Sequence, residues 1–256
     1  MMAETDWIVI PARYDSSRLP GKPLAEIDGR PMIHWVYERA MAAGSEHVVI
    51  ATDDERIQEA AAEIGARAVL TSEGHESGTD RLAEVIDHLE LPDETVVVNL
   101  QGDEPLMPPV LLAQVANLLR AKPDAAMATL MVPITEREEF LSPDAVKVVA
   151  NGRAEAMYFS RAPIPFHRDG LPEAREAGIF GFRHLGLYAY RAGFLRRFVQ
   201  TSSPEIERLE KLEQLRALSM GETIAIAIAE VTPAPGVDTA ADLERVRALM
   251  AEEAVD

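Results

Sequence analysis

The chain has no cysteine among its 256 residues, which excludes disulfides, thiolate nucleophiles and cysteine-ligated zinc or iron–sulfur centres. Any metal must be held by oxygen or imidazole. No apolar run approaches the ~20 residues of a membrane-spanning helix, and no basic-then-apolar leader precedes the first strand. The expectation is a soluble, cytoplasmic protein without membrane insertion. Basic charge is also scarce: 25 Lys and Arg stand against 43 Asp and Glu, a formal net charge of -18. That balance argues against nucleic acid as a partner, because a phosphate backbone needs compensating cations over a broad surface. Neither the dinucleotide fingerprint GxGxxG nor the phosphate-binding GxxxxGK[ST] occurs, so dehydrogenase and P-loop readings lose their main support.

What is present is an ordered composition, 47% hydrophobic and 27% charged, in a chain long enough to bury a large core. Apolar β-branched runs at 7–10, 47–52, 66–71 and 95–100 alternate with helix-like segments, the pattern of right-handed βαβ units on a mostly parallel sheet. Helices are expected after Pro31 up to Gly44, over 55–64, over 79–89 and from 108 toward 120. The second half is less regular. Strands are expected at 125–134, 145–151 and 154–163, then, after a polar loop at 165–178, at 184–190 and 222–231. A long amphipathic helix is expected over 203–221 and a final one over 239–253. No linker is evident, so residues 1–256 read as one α/β domain whose mixed sheet carries a small extension.

In such sheets ligands bind beyond the carboxyl ends of the strands, and four unusual segments follow expected strands. PARYDSSRLPGKP places Arg13, Arg18 and Lys22 within ten residues of an otherwise acidic chain. Forked guanidiniums and a point-charge ammonium together suit a polyphosphate, although a cationic surface loop paired with carboxylates has the same composition. SEGHESGTDR and QGDEP follow the next candidate strands. Asp103 in QGDEP can meet Mg²⁺ or accept backbone bonds in a turn, and Glu104 can support that turn or face solvent. In GVDT, either Asp238 or Thr239 can cap the final helix, with Asp242 in its first turn.

Taken in order, RYDSSRLPGKPL, HESGTDRLAE, VNLQGDEP, DAVKVV, YFSRAPIP, RHLGLYAYRAGF, LEKLEQLR and GVDTAADLERVR resemble the 3-deoxy-D-manno-octulosonate (Kdo) cytidylyltransferases, the CMP-Kdo synthetases, over nearly the whole chain. The resemblance implies a Rossmann-like nucleotidyltransferase fold and an enzyme that transfers CMP from CTP to the anomeric 2-hydroxyl of Kdo, releasing pyrophosphate for lipopolysaccharide synthesis, with Mg²⁺ required. It further implies a homodimer, with CTP bound mainly by residues 1–125 and 230–256. Sugar binding and dimerisation would fall mainly to 126–229.

Residue by residue, the resemblance assigns Arg13, Arg18 and Lys22 to the CTP phosphates, and Ser77 and Arg81 to the nucleotide. It sets Gln101 where nucleotide and sugar meet, and puts the metal on Asp103 and Asp238, which with Lys22 form the catalytic set. The sugar falls to Arg161, His184, Tyr188, Glu213 and Gln214, with Arg161 on its carboxylate. Each of these five also suits a purely structural role. A cytidylyltransferase for a related acid sugar, 8-amino-Kdo or sialic-acid-like, and a non-catalytic nucleotide-binding module are the alternatives.

Overall fold

The structure is a computed structural model that describes residues 2–4, 6–15, 18–75, 77–171 and 178–253. In chain order the first half holds β1 (Trp7–Ala12), a β2 (Glu26–Ile27) and β3 (Arg30–Pro31) hairpin, α1 (Met32–Ala42), β4 (His47–Thr52), α2 (Glu55–Glu63), β5 (Arg67–Leu70), α3 (Gly78–His88), β6 (Val96–Asn99) and α4 (Pro109–Arg120). The second half adds β7 (Met127–Ile134), α5 (Arg137–Leu141), β8 (Lys147–Ala150), β9 (Ala156–Ser160), β10 (Gly181–Arg191), α6 (Ala192–Gln200), α7 (Glu205–Glu210), α8 (Gln214–Ser219), β11 (Ile224–Ile228) and α9 (Ala240–Glu253).

The main sheet runs β11-β7-β10-β6-β1-β4-β5. Pairings β6–β1, β1–β4, β4–β5 and β11–β7 are parallel, while β10 runs against both β7 and β6. Strand alternation sorts the core into two layers. Ile8 and Ile10 of β1 face a cluster with Ile33 and Val36 of α1, Ile57 of α2 and Leu112 of α4. Val9 faces the other side, with Leu82 and Ile86 of α3 and Phe194 and Phe198 of α6. Full burial of each such side chain contributes about 2 kcal/mol, so both helical layers are held to the sheet by its short apolar runs. The mixed α/β architecture expected from the sequence is the one observed.

β10 joins this sheet to the extension. Its first half pairs with β8 at Phe182 and Arg183, its second half pairs with β6 from Tyr188 onward, and the register against β7 shifts between Leu185 and Tyr188. β9 pairs with β8 alone among the described strands.

Several expected elements differ. The 203–221 helix is broken into α7 and α8 at Lys211, which takes left-handed φ 56°, ψ 47°. The break lets Arg216 fork onto Glu207 at 2.8 and 2.5 Å, residues that an unbroken helix would hold about 13 Å apart along its axis. The expected strand at 154–163 shortens to β9, because Ala154 turns back with φ 58°. α5 and α6 have no counterpart among the expected helices. Part of the expected 165–178 loop, residues 172–177, lies outside the described residues.

Candidate active site

β7 runs against β10, which runs against β6, so β7 and its parallel neighbour β11 point the same way as β6, β1, β4 and β5. The loops after β1, β5, β6 and β11 therefore emerge at one edge of the sheet, the position where open α/β sheets bind ligands. A cleft of about 260 Å³ lies there. Arg13, Arg18 and Lys22 line it from the β1 loop, Ser77 and Arg81 from the start of α3, Gln101 and Asp103 from the β6 loop, and Asp238 from the segment before α9.

Close backbone approaches hold these loops together. A Cβ on Gly102 would stand 2.7 Å from the Pro11 carbonyl, and one on Gly236 would stand 2.9 Å from both the Asp103 carbonyl and Glu104 Oε1. The Val237 N–H donates to the Asp103 carbonyl at 2.9 Å, which sets Asp238 beside Asp103. At the start of α9 the cap is Thr239: its hydroxyl accepts from the Asp242 N–H at 3.2 Å, and Asp242 accepts from the Thr239 N–H at 2.9 Å. The Asp238 side chain is thus free of capping duty.

Cations occupy the space between the two carboxylates. Lys22 Nζ is 2.5 Å from Asp103 Oδ2 and 3.4 Å from Asp238 Oδ1, and Arg18 Nη2 is 3.2 Å from Asp238 Oδ1. Two hard carboxylates that already share a cation form the donor set that suits Mg²⁺ once phosphate oxygens complete it. Among the described residues no group of three or more His, Cys, Asp or Glu could hold an ion without such help.

Ser77 and Arg81 line the cleft but also have structural partners. The Ser77 hydroxyl accepts from the Asp80 N–H at 3.1 Å in a capping box. Arg81, only 3% exposed, pairs with Asp53 at 2.7 Å and donates to Thr71, tying α3 to the carboxyl ends of β4 and β5.

Gln101 and Asp238 also line a second cleft, of about 480 Å³, together with Glu104, Arg183 and His184. His184 is buried, with Nε2 3.0 Å from the Thr129 hydroxyl, which itself donates to a β10 carbonyl. That bond places the imidazole proton on Nε2 and leaves Nδ1 as an acceptor. Burial, helped by the neighbouring Arg183 charge, lowers the His184 pKa to about 3, so the ring is neutral.

The remaining residues assigned to the sugar sit outside the described linings of both clefts. Tyr188 pairs with Asn99 in the β10–β6 ladder, and burial raises its pKa well above the usual range. Glu213 accepts from the Thr79 hydroxyl at 2.8 Å. Gln214 is 5% exposed and its Nε2 has no hydrogen-bond partner among the described residues, a donor whose burial is costly until something binds it. Arg161 donates from Nε to the Glu210 carbonyl at 2.8 Å and from Nη1 to the Pro143 carbonyl at 2.9 Å.

Known proteins resemble this chain in sequence and fold. The sequence pattern of the Cytidylyltransferase family covers residues 7–224. The 3-deoxy-manno-octulosonate cytidylyltransferase of Vibrio parahaemolyticus serotype O3:K6 (strain RIMD 2210633) is 54% identical over 248 residues, 96% of this chain and 98% of its own. The chain belongs to the 3-deoxy-manno-octulosonate cytidylyltransferases. The enzyme of that name from Halorhodospira halophila (strain DSM 244 / SL1) is 55% identical over 242 residues, 93% of this chain and 94% of its own. A solved CMP:2-keto-3-deoxy-manno-octonic acid synthetase in complex with CTP superimposes with TM-score 0.88 at 46% identity, covering 97% of this chain and 99% of that one.

Within this cytidylyltransferase three further groups line the clefts or brace their lining. Glu104, read as turn support or solvent-facing, lines the second cleft, where burial and the charges of Asp103 and Asp238 push its pKa up to about 8. His75 lines the first cleft against Glu84, and Asp53 braces Arg81. The signal for Glu104 was a second acid beside Asp103. Nothing local marked Asp53, whose partner comes from a different loop.

Proposed function

We propose that the chain transfers CMP from CTP to the anomeric 2-hydroxyl of Kdo, releasing pyrophosphate and supplying the activated sugar for lipopolysaccharide synthesis. The observation that carries this reading is the meeting of Arg13, Arg18 and Lys22 with Asp103 and Asp238 in a cleft that shares Gln101 and Asp238 with a second one. Three cations on one loop neutralise a triphosphate and hold it in line, leaving the α-phosphorus open to the sugar hydroxyl opposite the departing pyrophosphate. Ser77 and Arg81 fix the nucleotide side, the latter through its Asp53 brace. Gln101 stands at the junction of the clefts. Arg161, His184, Tyr188, Glu213 and Gln214 sort the sugar, with Arg161 on the carboxylate and the unpartnered Gln214 amide as a donor to a hydroxyl. His184, neutral and buried, is an acceptor at Nδ1 rather than a general base.

Asp103 and Asp238 would hold Mg²⁺, which when bound acidifies the attacking hydroxyl and polarises the α-phosphate. The working unit in this reading is one domain in a cytoplasmic homodimer. The exposed Met157 (61%), Phe166 (85%) and Leu209 (76%) all lie within 126–229, and β9 is an open sheet edge among the described strands. Light scattering on the purified chain tests the dimer. No helix of the described residues is long and apolar enough to cross a membrane.

The deciding assay measures pyrophosphate release with CTP, Mg²⁺ and a panel of Kdo, 8-amino-Kdo and N-acetylneuraminate. Release with Kdo at the highest kcat/KM is expected. A preference for either of the others reassigns the acceptor, and no release with any of them refutes the enzyme reading.

A further inference from the structure

Lys147 is fully buried, at 0% exposure, yet the described residues place no carboxylate in an ion pair with it. Its Nζ donates to three carbonyls: Ser142 at 2.6 Å, Ala145 at 2.5 Å and Arg161 at 2.6 Å. A buried ammonium is costly unless all three of its protons are bonded, and here all three bonds converge on backbone. Two of the acceptors lie in the 142–145 turn, whose Pro143 carbonyl also takes Arg161 Nη1. The third is the carbonyl of Arg161 itself.

Glu210 completes the arrangement from α7. One of its carboxylate oxygens accepts from the Arg161 N–H at 2.9 Å and the other from the Ser160 hydroxyl at 2.6 Å, while its carbonyl takes Arg161 Nε. Arg161 is therefore fixed at its N–H, its carbonyl and two guanidinium nitrogens. Nη2 has no partner among the described residues. Lys147, Arg161 and Glu210 together carry one positive charge in excess, which one carboxylate would neutralise.

We propose that Lys147 is a positioning residue for the sugar acid: its three carbonyl bonds lock the 142–145 turn and the Arg161 backbone so that the guanidinium presents its remaining edge to the substrate carboxylate. The inference rests on the reading of Arg161 as the carboxylate site. Preorganisation of this kind acts through the geometry of a charged hydrogen bond, so its loss is felt by the acidic substrate alone.

The test compares kinetics with the sugar acid and with its C1 carboxamide in the wild type, Lys147→Met, Lys147→Gln, Arg161→Ala and the double variant Lys147→Met/Arg161→Ala. Lys147→Met is expected to raise the sugar KM by about tenfold or more, the scale of one charge-assisted hydrogen bond, with CTP KM within about twofold. The preference for acid over carboxamide shrinks in Lys147→Met as in Arg161→Ala, the double variant is no worse than Arg161→Ala, and Lys147→Gln, which keeps two donors, recovers part of the sugar KM. Equal losses for both substrates, an unchanged acid preference, or additive effects in the double variant would overturn the proposal. If Lys147→Met does not fold, Lys147→Gln carries the same comparison. An inert wild type would instead refute the Kdo reading, so the two failures are distinct.

Discussion

Lys22 Nζ lies 2.5 Å from Oδ2 of Asp103, a residue 81 positions away in sequence, and the same ammonium reaches Asp238 at 3.4 Å. Under the proposed function Lys22 and a metal ion would compete for these two carboxylates, and Lys22, once displaced from them, would be free to meet phosphate. Replacing Lys22 with Met should have two opposite effects. The kcat/KM for CTP falls by about 100-fold, the order of a lost charge-assisted phosphate contact. Titration calorimetry, meanwhile, shows Mg²⁺ binding more tightly to the nucleotide-free variant, because its competitor is gone. Unchanged or weaker Mg²⁺ binding would show that Lys22 does not compete.

Thr239 and Asp238 are adjacent but have separable duties. Thr239→Ala removes the cap of α9 and should cost about 1 kcal/mol in denaturant unfolding, while turnover at saturating CTP is kept. Asp238→Asn leaves the cap intact, so unfolding changes little, but turnover at limiting Mg²⁺ collapses. If Asp238→Asn keeps near-normal turnover, the metal assignment is wrong.

The parallel core was legible because each buried strand is a β-branched run and each helix before residue 120 ends at a marked residue or beside a polar stretch. The break at Lys211 was not. The periodicity of 203–221 continues through it, and a left-handed lysine carries no local mark; only the tertiary pairing of Glu207 with Arg216 reveals why the chain bends. The same limit applies at the site. Asp103 and Asp238 were legible as acids after strands, whereas their sharing of Lys22 depends on β11 running parallel to β7, which no short window of sequence encodes. Arg81 was legible within SGTDR, but its burial against Asp53 was not, since Asp53 follows a different strand.

His184 gives the protein an acid-sensitive element. In the unfolded chain the imidazole takes up a proton near its ordinary value of 6.5, whereas burial in the fold lowers its pKa to about 3. Between those values the unfolded state binds more protons, so stability falls as pH drops from 6.5 toward 3 and is unaffected by this group above 6.5. The slope from one such histidine is at most about 1.4 kcal/mol per pH unit. Urea unfolding between pH 7 and pH 4 should show a shallower loss of stability in His184→Gln than in the wild type. Parallel pH profiles for the two proteins would mean that His184 is not held neutral.

Gly236 sets the approach of the Asp238 segment to the loop of Asp103, the two residues proposed to hold the metal. A methyl group there meets the Asp103 carbonyl and the Glu104 carboxyl at 2.9 Å, and a backbone carbonyl yields only if its loop moves. Gly236→Ala should therefore push the Asp238 segment away from the β6 loop and weaken the 2.9 Å bond from the Val237 N–H to the Asp103 carbonyl. A displacement near 1 Å at a reacting site costs about 100-fold in rate, so kcat should fall by that order and the Mg²⁺ concentration for half-maximal turnover should rise. Gly152→Ala serves as the control, because a Cβ at Gly152 has nothing within 4 Å. It should leave both quantities unchanged. Normal Mg²⁺ dependence in Gly236→Ala would mean that the close approach of these two loops is incidental to holding the ion.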